Sequence, residues 1–418
     1  MTKPPKPTVP PAPSRANPGP VFSQAADTFA AFQAPFADYL DAVAGYVDER
    51  ADEALAAAIA GDLPSLAGQA GRFVRVNGAG TAAEFAAITD PENRIINGAF
   101  DFWQRGTSFT AAAYGADRWV NLHSGGTVTQ SRQAFALGDT LGSNSATAFL
   151  RQAVSGQSLA SHFAATTHRI EGVRSYAGQT ITVLGWARRS SGAGNMAVEV
   201  AQTFGTGGSP SAEVTGVGQP VTLTGSWAPF AVTIAVPSIA GRTLGTDGND
   251  FLQLFFWTSA GSNFNARSGS LGLQTIGVDL WGIHVKLGVH TTAAVEMYRA
   301  PELGPELLRC QRYFAKSYDL NVNPATVTDV GVVEWWGANT FPFHNTMAYL
   351  PVEMRRVPGV ALYSPATGAI SQFRNLTSGA DVAAAANRLG RRTFSLVVNN
   401  VSLTNVSLQA HYTADAEL

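Results

Sequence analysis

The feature that most restricts the fold is a series of short β-favouring runs between residues 94 and 290, separated by glycine, serine and asparagine. There are roughly eight or nine of these runs with no helical pattern between them, which is typical of antiparallel sheets folded as a sandwich. In the run QTITVLGWA, alternation places Ile181 and Val183 on one face and Trp186 on the other. Only 14% of the residues are charged, against about 25% in typical soluble domains. The sequence therefore predicts a mainly β protein.

The stretch NRIINGAFDFWQRG, residues 93–106, concentrates aromatic side chains at the start of this region. The pair Asn97-Gly98 predicts a bend. Three large side chains are available for the core of a glycine-rich domain: Phe100, Phe102 and Trp103. We expect this stretch to form the first strand of the sandwich.

Residues 1–20 are rich in proline, with eight prolines between positions 3 and 20. Proline cannot donate a regular ladder of hydrogen bonds, so this segment favours extended polyproline II geometry. Two interpretations fit it, a disordered tail or an attachment peptide that lies along another protein.

Residues 21–62 predict a helical stalk, because their apolar side chains alternate at spacings of three and four. The seam comprises Phe22, Ala25, Phe29, Phe32, Phe36, Tyr39, Val43 and Tyr46. Burying such side chains is worth about 1.5 to 3 kcal/mol each, which favours association. Pro35 predicts a break or kink near residues 33–35, and the helix should end at Gly61 or before Pro64.

The seam is compatible with two arrangements. Large aromatic residues suit a coiled-coil-like assembly of three chains or a docking collar, and in that case the association residues are Phe22, Phe29, Phe32, Phe36, Tyr39 and Val43. The alternative is a helical hairpin packed on the body of its own chain.

The rest of the chain divides into three segments. Residues 63–92 predict a short β linker, in which Asn77-Gly78 is a turn signal. Residues 93–300 contain the sandwich. Residues 301–418 begin with a short helix or bridging segment and continue as a second β region, which we expect to be a C-terminal head domain.

Composition excludes several classes of protein. The net charge is -2 and the basic residues are scattered, which argues against nucleic-acid binding. The single Cys310 excludes a disulfide within one chain. No signal peptide and no run of 18 apolar residues is present, so we expect synthesis in the cytoplasm of the producing cell and no insertion into a membrane.

The sequence contains no recognisable catalytic set, and we do not expect an enzyme. Pairs of histidines six residues apart would lie about 20 Å apart on a strand, too far to share a metal ion. No Gly-x-Ser-x-Gly elbow occurs, and the scattered carboxylates cannot be paired from sequence alone.

The adjacent Trp335 and Trp336 are the best candidates for recognition of a sugar ring. Adjacent side chains on a strand point to opposite faces, so one of the two must lie at an interface, under a loop or in solvent. The proposed carbohydrate-binding set is Trp335, Trp336, Phe343, His344 and Tyr349. The alternative is a tryptophan at a subunit interface. Five other tryptophans lie within apolar predicted strands, and we expect them mostly in the core: Trp103, Trp119, Trp186, Trp227 and Trp281.

Several motifs occur together in a familiar order. RIINGAFDFWQRG, GADRWV, GWARR, GSW, VDLWGIHVKLG and LLRCQRYFAKSY resemble the carbohydrate-binding-module-like jelly-roll domains of tail fibres and receptor-binding proteins of tailed bacteriophages. PPAPSRANPGPVFSQAADTFAAFQAPF is similar to the attachment segment of such fibres. The resemblance implies a virion component, a homotrimer fixed to another virion protein by its N-terminus, whose β domains contact polysaccharide on the host surface.

The resemblance leaves three functions open. The first is a fibre or spike subunit for host attachment, the second a structural decoration such as a head fibre or tail collar, and the third a capsule depolymerase. It also implies a structural calcium ion, for which Asp101 in NGAFD and Asp279 in VDLWG stand at matching positions. The loop GTDGNDF, with Asp247, Asn249 and Asp250, is an alternative calcium site or an ordinary turn.

Overall fold

A computed structural model describes residues 4–12, 19–59, 72–76, 83–87, 93–142, 144–337, 343–399 and 406–418. The chain forms two compact units, Met1–Pro91 and Glu92–Leu418. The prediction of a mainly β protein built from antiparallel sheets is confirmed. The finer division at residue 300 stays a prediction.

The first unit contains a single long helix in its described part, α1 (Gly19–Ile59). The prediction of two separate helices is wrong, because α1 runs through Pro35 without interruption, and one helix with a kink near this residue stays a prediction. Proline removes one backbone donor, and the alanines on both sides are strong helix formers that support the flanking turns. The predicted helix end at Gly61 lies outside the described residues.

The other elements of the first unit are two strands, β1 (Arg72–Val76) and β2 (Ala83–Ala87), which pair antiparallel. They confirm a β segment between residues 63 and 92. The proposed turn at Asn77-Gly78 lies outside the described residues. Residues 4–12 are in neither a helix nor a strand.

The second unit begins with a sandwich of two antiparallel sheets. Its elements are β3 (Ser108–Phe109), β4 (Trp119–Ser124), β5 (Thr127–Ala134), β6 (Thr140–Leu141), β7 (Asn144–Ser145), β8 (Ala148–Ser155), β9 (Phe163–Glu171), β10 (Thr180–Gly192), β11 (Met196–Thr203), β12 (Val214–Thr215), β13 (Gln219–Val221), β14 (Ala228–Ala235), β15 (Phe251–Ala260), a 3-10 turn (Ser262–Phe264), α2 (Asn265–Ser268) and β16 (Ile276–Leu287). Sheet I has the order β14-β10-β16-β8-β5-β3. Sheet II has the order β12-β11-β15-β9-β4, with β13 also paired to β11.

The main core lies between the two sheets and contains side chains from both. Trp119 of sheet II contacts Phe256 of the same sheet, with ring centroids 5.8 Å apart, and Phe256 meets Phe230 of sheet I at 6.4 Å. Burial of such rings supplies the largest favourable term that this glycine-rich unit has.

The aromatic stretch at residues 93–106 is buried, but it is not a strand, which corrects the prediction. Asn97 and Phe100 both adopt left-handed backbone angles, with φ of 58° and 59°. The Asn97 side chain accepts a hydrogen bond from the Phe102 amide at 3.1 Å and donates to the Phe102 carbonyl at 2.8 Å. These bonds to a side chain replace the partner strand that a β ladder would need.

The C-terminal part of the second unit adds a second β region. Its elements are α3 (Ala293–Glu296), α4 (Leu303–Gln311), β17 (Phe314–Lys316), β18 (Val333–Gly337), β19 (Phe343–Tyr349), β20 (Gly359–Tyr363), β21 (Gln372–Asn375), β22 (Ala380–Ala383), β23 (Ala385–Asn387), β24 (Thr393–Asn399) and β25 (Val406–Asp415). The last strand, β25, pairs with β17, β18, β20 and β21. A separate apolar core lies here, around Phe373 and Phe394.

The helix expected after residue 300 is present as α4. Cys310 and Tyr313 are buried in one apolar cluster with Ile96 and Phe102 from the aromatic stretch. Leu308 of α4, in contrast to Cys310 and Tyr313, is 48% exposed to solvent. This helical segment therefore packs against the start of the sandwich.

Candidate functional site

Three charged side chains lie next to one another on the outer face of sheet I, the face turned away from sheet II. On β16, Val278 and Leu280 belong to the core between the sheets, so Asp279 between them points outward. Backbone register places Asp279 opposite Arg188 of β10 on one side and opposite Arg151 of β8 on the other. The three side chains therefore form one row across three neighbouring strands.

Asp279 is fully buried beneath the two guanidinium groups. Arg151 donates from Nε to Oδ1 at 2.6 Å and from a terminal nitrogen to Oδ2 at 2.8 Å. Arg188 donates from Nε to Oδ2 at 2.7 Å. Both oxygens thus accept charge-assisted bonds, which are the strong kind, and the bond to Asp279 raises the pKa of Arg151 above its usual value.

Three aromatic rings adjoin this row. Phe149, Trp227 and Phe135 are in mutual contact, with ring centroids 4.8 to 5.5 Å apart. The guanidinium of Arg188 lies 4.8 Å from the centroid of Trp227 and 5.2 Å from that of Phe149. Cation-π attraction and the Asp279 bond together fix the orientation of Arg188.

A cavity of about 250 Å³ opens between these rings and the loop that follows β5. We call it the Arg188 pocket, and its lining comprises Ala134, Phe135, Asp139, Thr140, Leu141, Phe149, Arg188 and Trp227. Asp139 stands at its rim, where Oδ2 accepts a hydrogen bond from the Ala136 amide at 2.9 Å and closes the loop. Apolar rings with a few fixed polar groups are the usual lining of a site for a small ligand.

Arg188 keeps hydrogen-bonding capacity. Within the described part of the chain, only its Nε forms a hydrogen bond, and the side chain is 28% exposed. Its two terminal nitrogens are therefore available to a ligand in the pocket.

Asp101 and Asp279, the residues of the implied calcium site, have different hydrogen-bond partners in the structure. Asp279 already accepts hydrogen bonds from two arginines, so a cation there would have to displace them. Asp101 accepts a hydrogen bond from Thr147 at 2.9 Å, and burial raises its pKa above the ordinary value. Among the described residues, no group of three or more His, Cys, Asp or Glu side chains could hold a metal ion.

In the alternative calcium loop, all three side chains accept hydrogen bonds from other parts of the protein. Asp247 accepts from the Thr206 hydroxyl at 2.7 Å, and Asn249 accepts from the Thr206 amide at 2.8 Å. Asp250 accepts from the Val173 amide at 2.7 Å. These bonds satisfy the backbone without a metal.

The proposed carbohydrate-binding residues of the C-terminal region have different environments. Trp335 is 8% exposed and packs edge-on against Phe373 at 4.7 Å, whereas Trp336 is 78% exposed and Tyr349 is 72% exposed. The prediction that the two adjacent tryptophans point to opposite sides is confirmed. No ring contact joins Trp336 and Tyr349 in the part of the chain that the structure covers. Phe343 and His344 lie on β19, but their side chains are outside the described residues.

The seam residues of α1 are only partly covered. Phe32 and Phe36 stack with centroids 5.5 Å apart, and Phe36 meets Tyr39 at 6.4 Å. Phe36 is 38% exposed. Phe29, Phe32, Tyr39 and Val43 are half-buried, and the side chain of Phe22 lies outside the described residues.

Sequence reasoning missed Phe135, Phe149 and Arg188 as site residues. The other tryptophans assigned to the core are buried there, namely Trp103, Trp119, Trp186 and Trp281, whereas Trp227 is half-buried and lines the pocket. A signal was present in the sequence, because Arg188, Trp227 and Asp279 lie in the motifs GWARR, GSW and VDLWG. The pairing of these strands is what brings the motifs together.

Comparison with known proteins gives the following. No family model matches the chain, and no curated protein matches it. A CBM4 structure is 15% identical with a TM-score of 0.27, and the match covers 46% of this chain and 98% of that one. The enzymatically active domain of tailspike protein 4 from bacteriophage CBA120 is 13% identical with a TM-score of 0.28, over 49% of this chain and 22% of that one.

A third similar structure is the N-terminal cellulose-binding domain of Cellulomonas fimi β-1,4-glucanase C. It is 15% identical with a TM-score of 0.26, over 44% of this chain and 97% of that one. Likenesses of this size do not assign a function.

Among the described residues, no helix combines the length and the apolar character needed to cross a membrane.

Proposed function

We propose that this protein binds glycan through the Arg188 pocket. The observation that carries the proposal is the pocket itself, in which the Arg188 guanidinium lies against Trp227 and Phe149 and its two terminal nitrogens form no hydrogen bond within the described part of the chain. A sugar ring offers apolar C–H faces to aromatic side chains and oxygen atoms to fixed donors, so it suits this combination. We propose binding without catalysis.

We further propose that the chain is a fibre or spike subunit of a tailed phage and attaches the virion to host surface polysaccharide. The order of the motifs supports this assignment. The N-terminal segment would then attach the chain to another virion protein. Decoration of the virion without glycan binding is the alternative.

The half-exposed seam of α1 supports association of copies as a homotrimer. Leu40 and Val47 each follow a seam residue by one position, and they are 51% and 57% exposed. They widen the apolar stripe beyond the narrow seam of a two-stranded coil. Asp27, Asp41 and Asp48 recur at multiples of seven on the opposite side of the helix, where a trimer would leave them in water.

Trp336 and Tyr349 are the second candidate surface, because both are large, mostly exposed aromatic side chains, and such side chains are enriched at interfaces. Either glycan or another copy of the chain could cover them. Binding data on variants decide between the two surfaces.

The test is a glycan array probed with the full chain and with three variants. Trp227→Ala and Phe135→Ala should weaken binding at least about fivefold, because each removes a wall of the pocket. Trp336→Ala is the comparison and should leave binding at the pocket unchanged. If no glycan is bound, the proposed function is wrong, and if only Trp336→Ala loses binding, the site is misplaced. Release of reducing ends from bound polysaccharide would contradict binding without catalysis.

A further inference from the structure

We propose that the Arg188 pocket selects sugars that carry a carboxylate, with Arg188 as the residue that recognises it. This inference rests on the proposed function, and it names the class of glycan.

Two guanidinium groups share one carboxylate, so the row formed by Arg151, Asp279 and Arg188 retains one positive charge on the outer face of sheet I. Both oxygens of Asp279 are occupied and buried, whereas the arginines are 29% and 28% exposed. The uncompensated charge is therefore presented to solvent, on the side where the cavity opens.

Nε of Arg188 is held by Asp279, and its plane is held close to Trp227 and Phe149. The two terminal nitrogens then form a fixed pair of donors. A planar guanidinium pairs best with a planar carboxylate, through two parallel bonds. A neutral hydroxyl uses one such donor and leaves the charge unpaired.

An acidic residue, Asp139, stands at the rim of the pocket. Asp139 is exposed and accepts a hydrogen bond from the Ala136 amide. An exposed charge is screened by water and salt, so its repulsion of an acidic sugar is weak compared with the attraction of a fixed donor pair. Arg188 should therefore strengthen the binding of acidic ligands, and Asp139 should weaken it by a smaller factor.

The experiment uses the full chain and a panel of oligosaccharides of galacturonate, glucuronate, mannuronate and sialate. Each member is measured beside its carboxyl-reduced form by titration calorimetry. At least one acidic member should bind about tenfold or more tightly than its reduced form. Raising the salt concentration should weaken the acidic member and leave the neutral one unchanged.

The variants separate charge from geometry. Arg188→Gln should weaken the acidic ligand about tenfold or more, and Arg188→Lys should restore only part of the loss, because lysine keeps the charge without the planar pair of donors. Asp139→Asn should strengthen acidic binding roughly twofold to fivefold, while its amide oxygen can still close the loop. Arg356→Gln removes an exposed arginine of the C-terminal region and is the control for loss of charge alone.

The outcomes separate this inference from the proposed function. Equal binding of the acidic and carboxyl-reduced forms would overturn the inference and leave glycan binding in place. Tighter binding of a phosphorylated mannose oligosaccharide than of every carboxylate sugar would have the same consequence. No binding to any glycan would overturn both. If Arg188→Gln shows no thermal unfolding transition and so does not fold, Asp139→Asn still tests the inference, because the Asp139 side chain is exposed and its substitution should not prevent folding. Unchanged or weaker binding of the acidic ligand by Asp139→Asn would contradict the inference.

Discussion

The guanidinium of Arg118 is completely buried and pairs with the carboxylate of Glu417, which follows it by 299 residues. Arg118 also lies 3.5 Å from the ring centroid of Tyr313. Burial lowers the pKa of Arg118, but Glu417 together with Tyr114 and Tyr313 outweighs this effect and the net shift is upward. Arg105 also donates to Glu417, at 3.2 Å. The last residues of the chain thus compensate charges that the sandwich buries.

Glu417→Gln should lower the free energy of unfolding by about 3 to 5 kcal/mol, because it leaves a buried guanidinium without its counter-charge. The measurement is urea unfolding followed by tryptophan fluorescence. The control is Glu353→Gln, which removes one partner of an exposed pair with Arg391 and should cost less than about 1 kcal/mol. Equal losses in the two variants would show that the buried pair has no special weight.

Gly98→Ala should prevent normal packing of the aromatic stretch. A Cβ atom at Gly98 would lie 2.0 Å from the carbonyl oxygen of Ile283. This oxygen belongs to the backbone, so it cannot move aside as the end of a flexible side chain could. The same two residues are joined by a hydrogen bond from the Ile283 amide to the Gly98 carbonyl at 2.9 Å. We expect a loss of about 3 kcal/mol or more, by analogy with other severe overpacking. Gly225→Ala is the matched control, since a Cβ there meets nothing within 4 Å; equal thermal midpoints for the two variants would refute the prediction.

Stability should fall as the pH rises from about 4.5 to about 7, through Glu199. Its side chain is fully buried on sheet II, and burial raises its pKa to about 7, against the opposing hydrogen bonds from Arg267 and Trp257. A carboxyl whose pKa is higher in the folded state binds a proton more tightly when the protein is folded. The contribution of Glu199 to the free energy of unfolding is therefore full below pH 4.5 and is lost by about pH 7.

The variant Glu199→Gln should remove this dependence, which amounts to roughly 3 kcal/mol across the interval. Urea unfolding of both proteins at several pH values measures it, with the exposed Glu302→Gln as control. A pH profile of Glu199→Gln parallel to that of the unaltered chain would contradict the assignment.

Adjacent tryptophans should respond differently to truncation. Trp335→Ala should cost about 3 to 5 kcal/mol, because it leaves a cavity beside Phe373. Trp336→Ala should change the free energy of unfolding by less than about 0.5 kcal/mol in a chain whose Trp336 is solvated. Denaturant unfolding of the two variants makes the comparison. A large loss in Trp336→Ala would show instead that another copy of the chain covers this side chain.

Association through α1 should depend on the seam. Phe36→Ser should lower the molar mass in solution from that of a trimer toward that of one chain, because it removes a large ring from the centre of the seam. Ala34→Ser places the same residue on an exposed position of α1 and should leave the mass unchanged. Light scattering coupled to gel filtration gives the mass. A monomeric unaltered chain would remove the basis for the stalk.

The local patterns of the sequence determined the class of fold. Alternation with a period of two predicted the strands and the opposite directions of Trp335 and Trp336, and the aromatic content of residues 93–106 predicted the burial of Phe100 and Phe102. Such features depend on neighbouring residues along the chain, so they can be predicted without knowing any strand partner. The aromatic stretch was misjudged as a strand because the polar side chain of Asn97 satisfies the backbone there.

Only the tertiary structure decided the candidate site. Arg151 and Arg188 are 128 and 91 residues from Asp279, and they meet it through the register of three strands. A carboxylate that resembled a calcium ligand in the sequence became the anchor of two arginines for this reason. Register depends on which strands pair and with what offset, and this is settled by burial of the whole core rather than by any one motif.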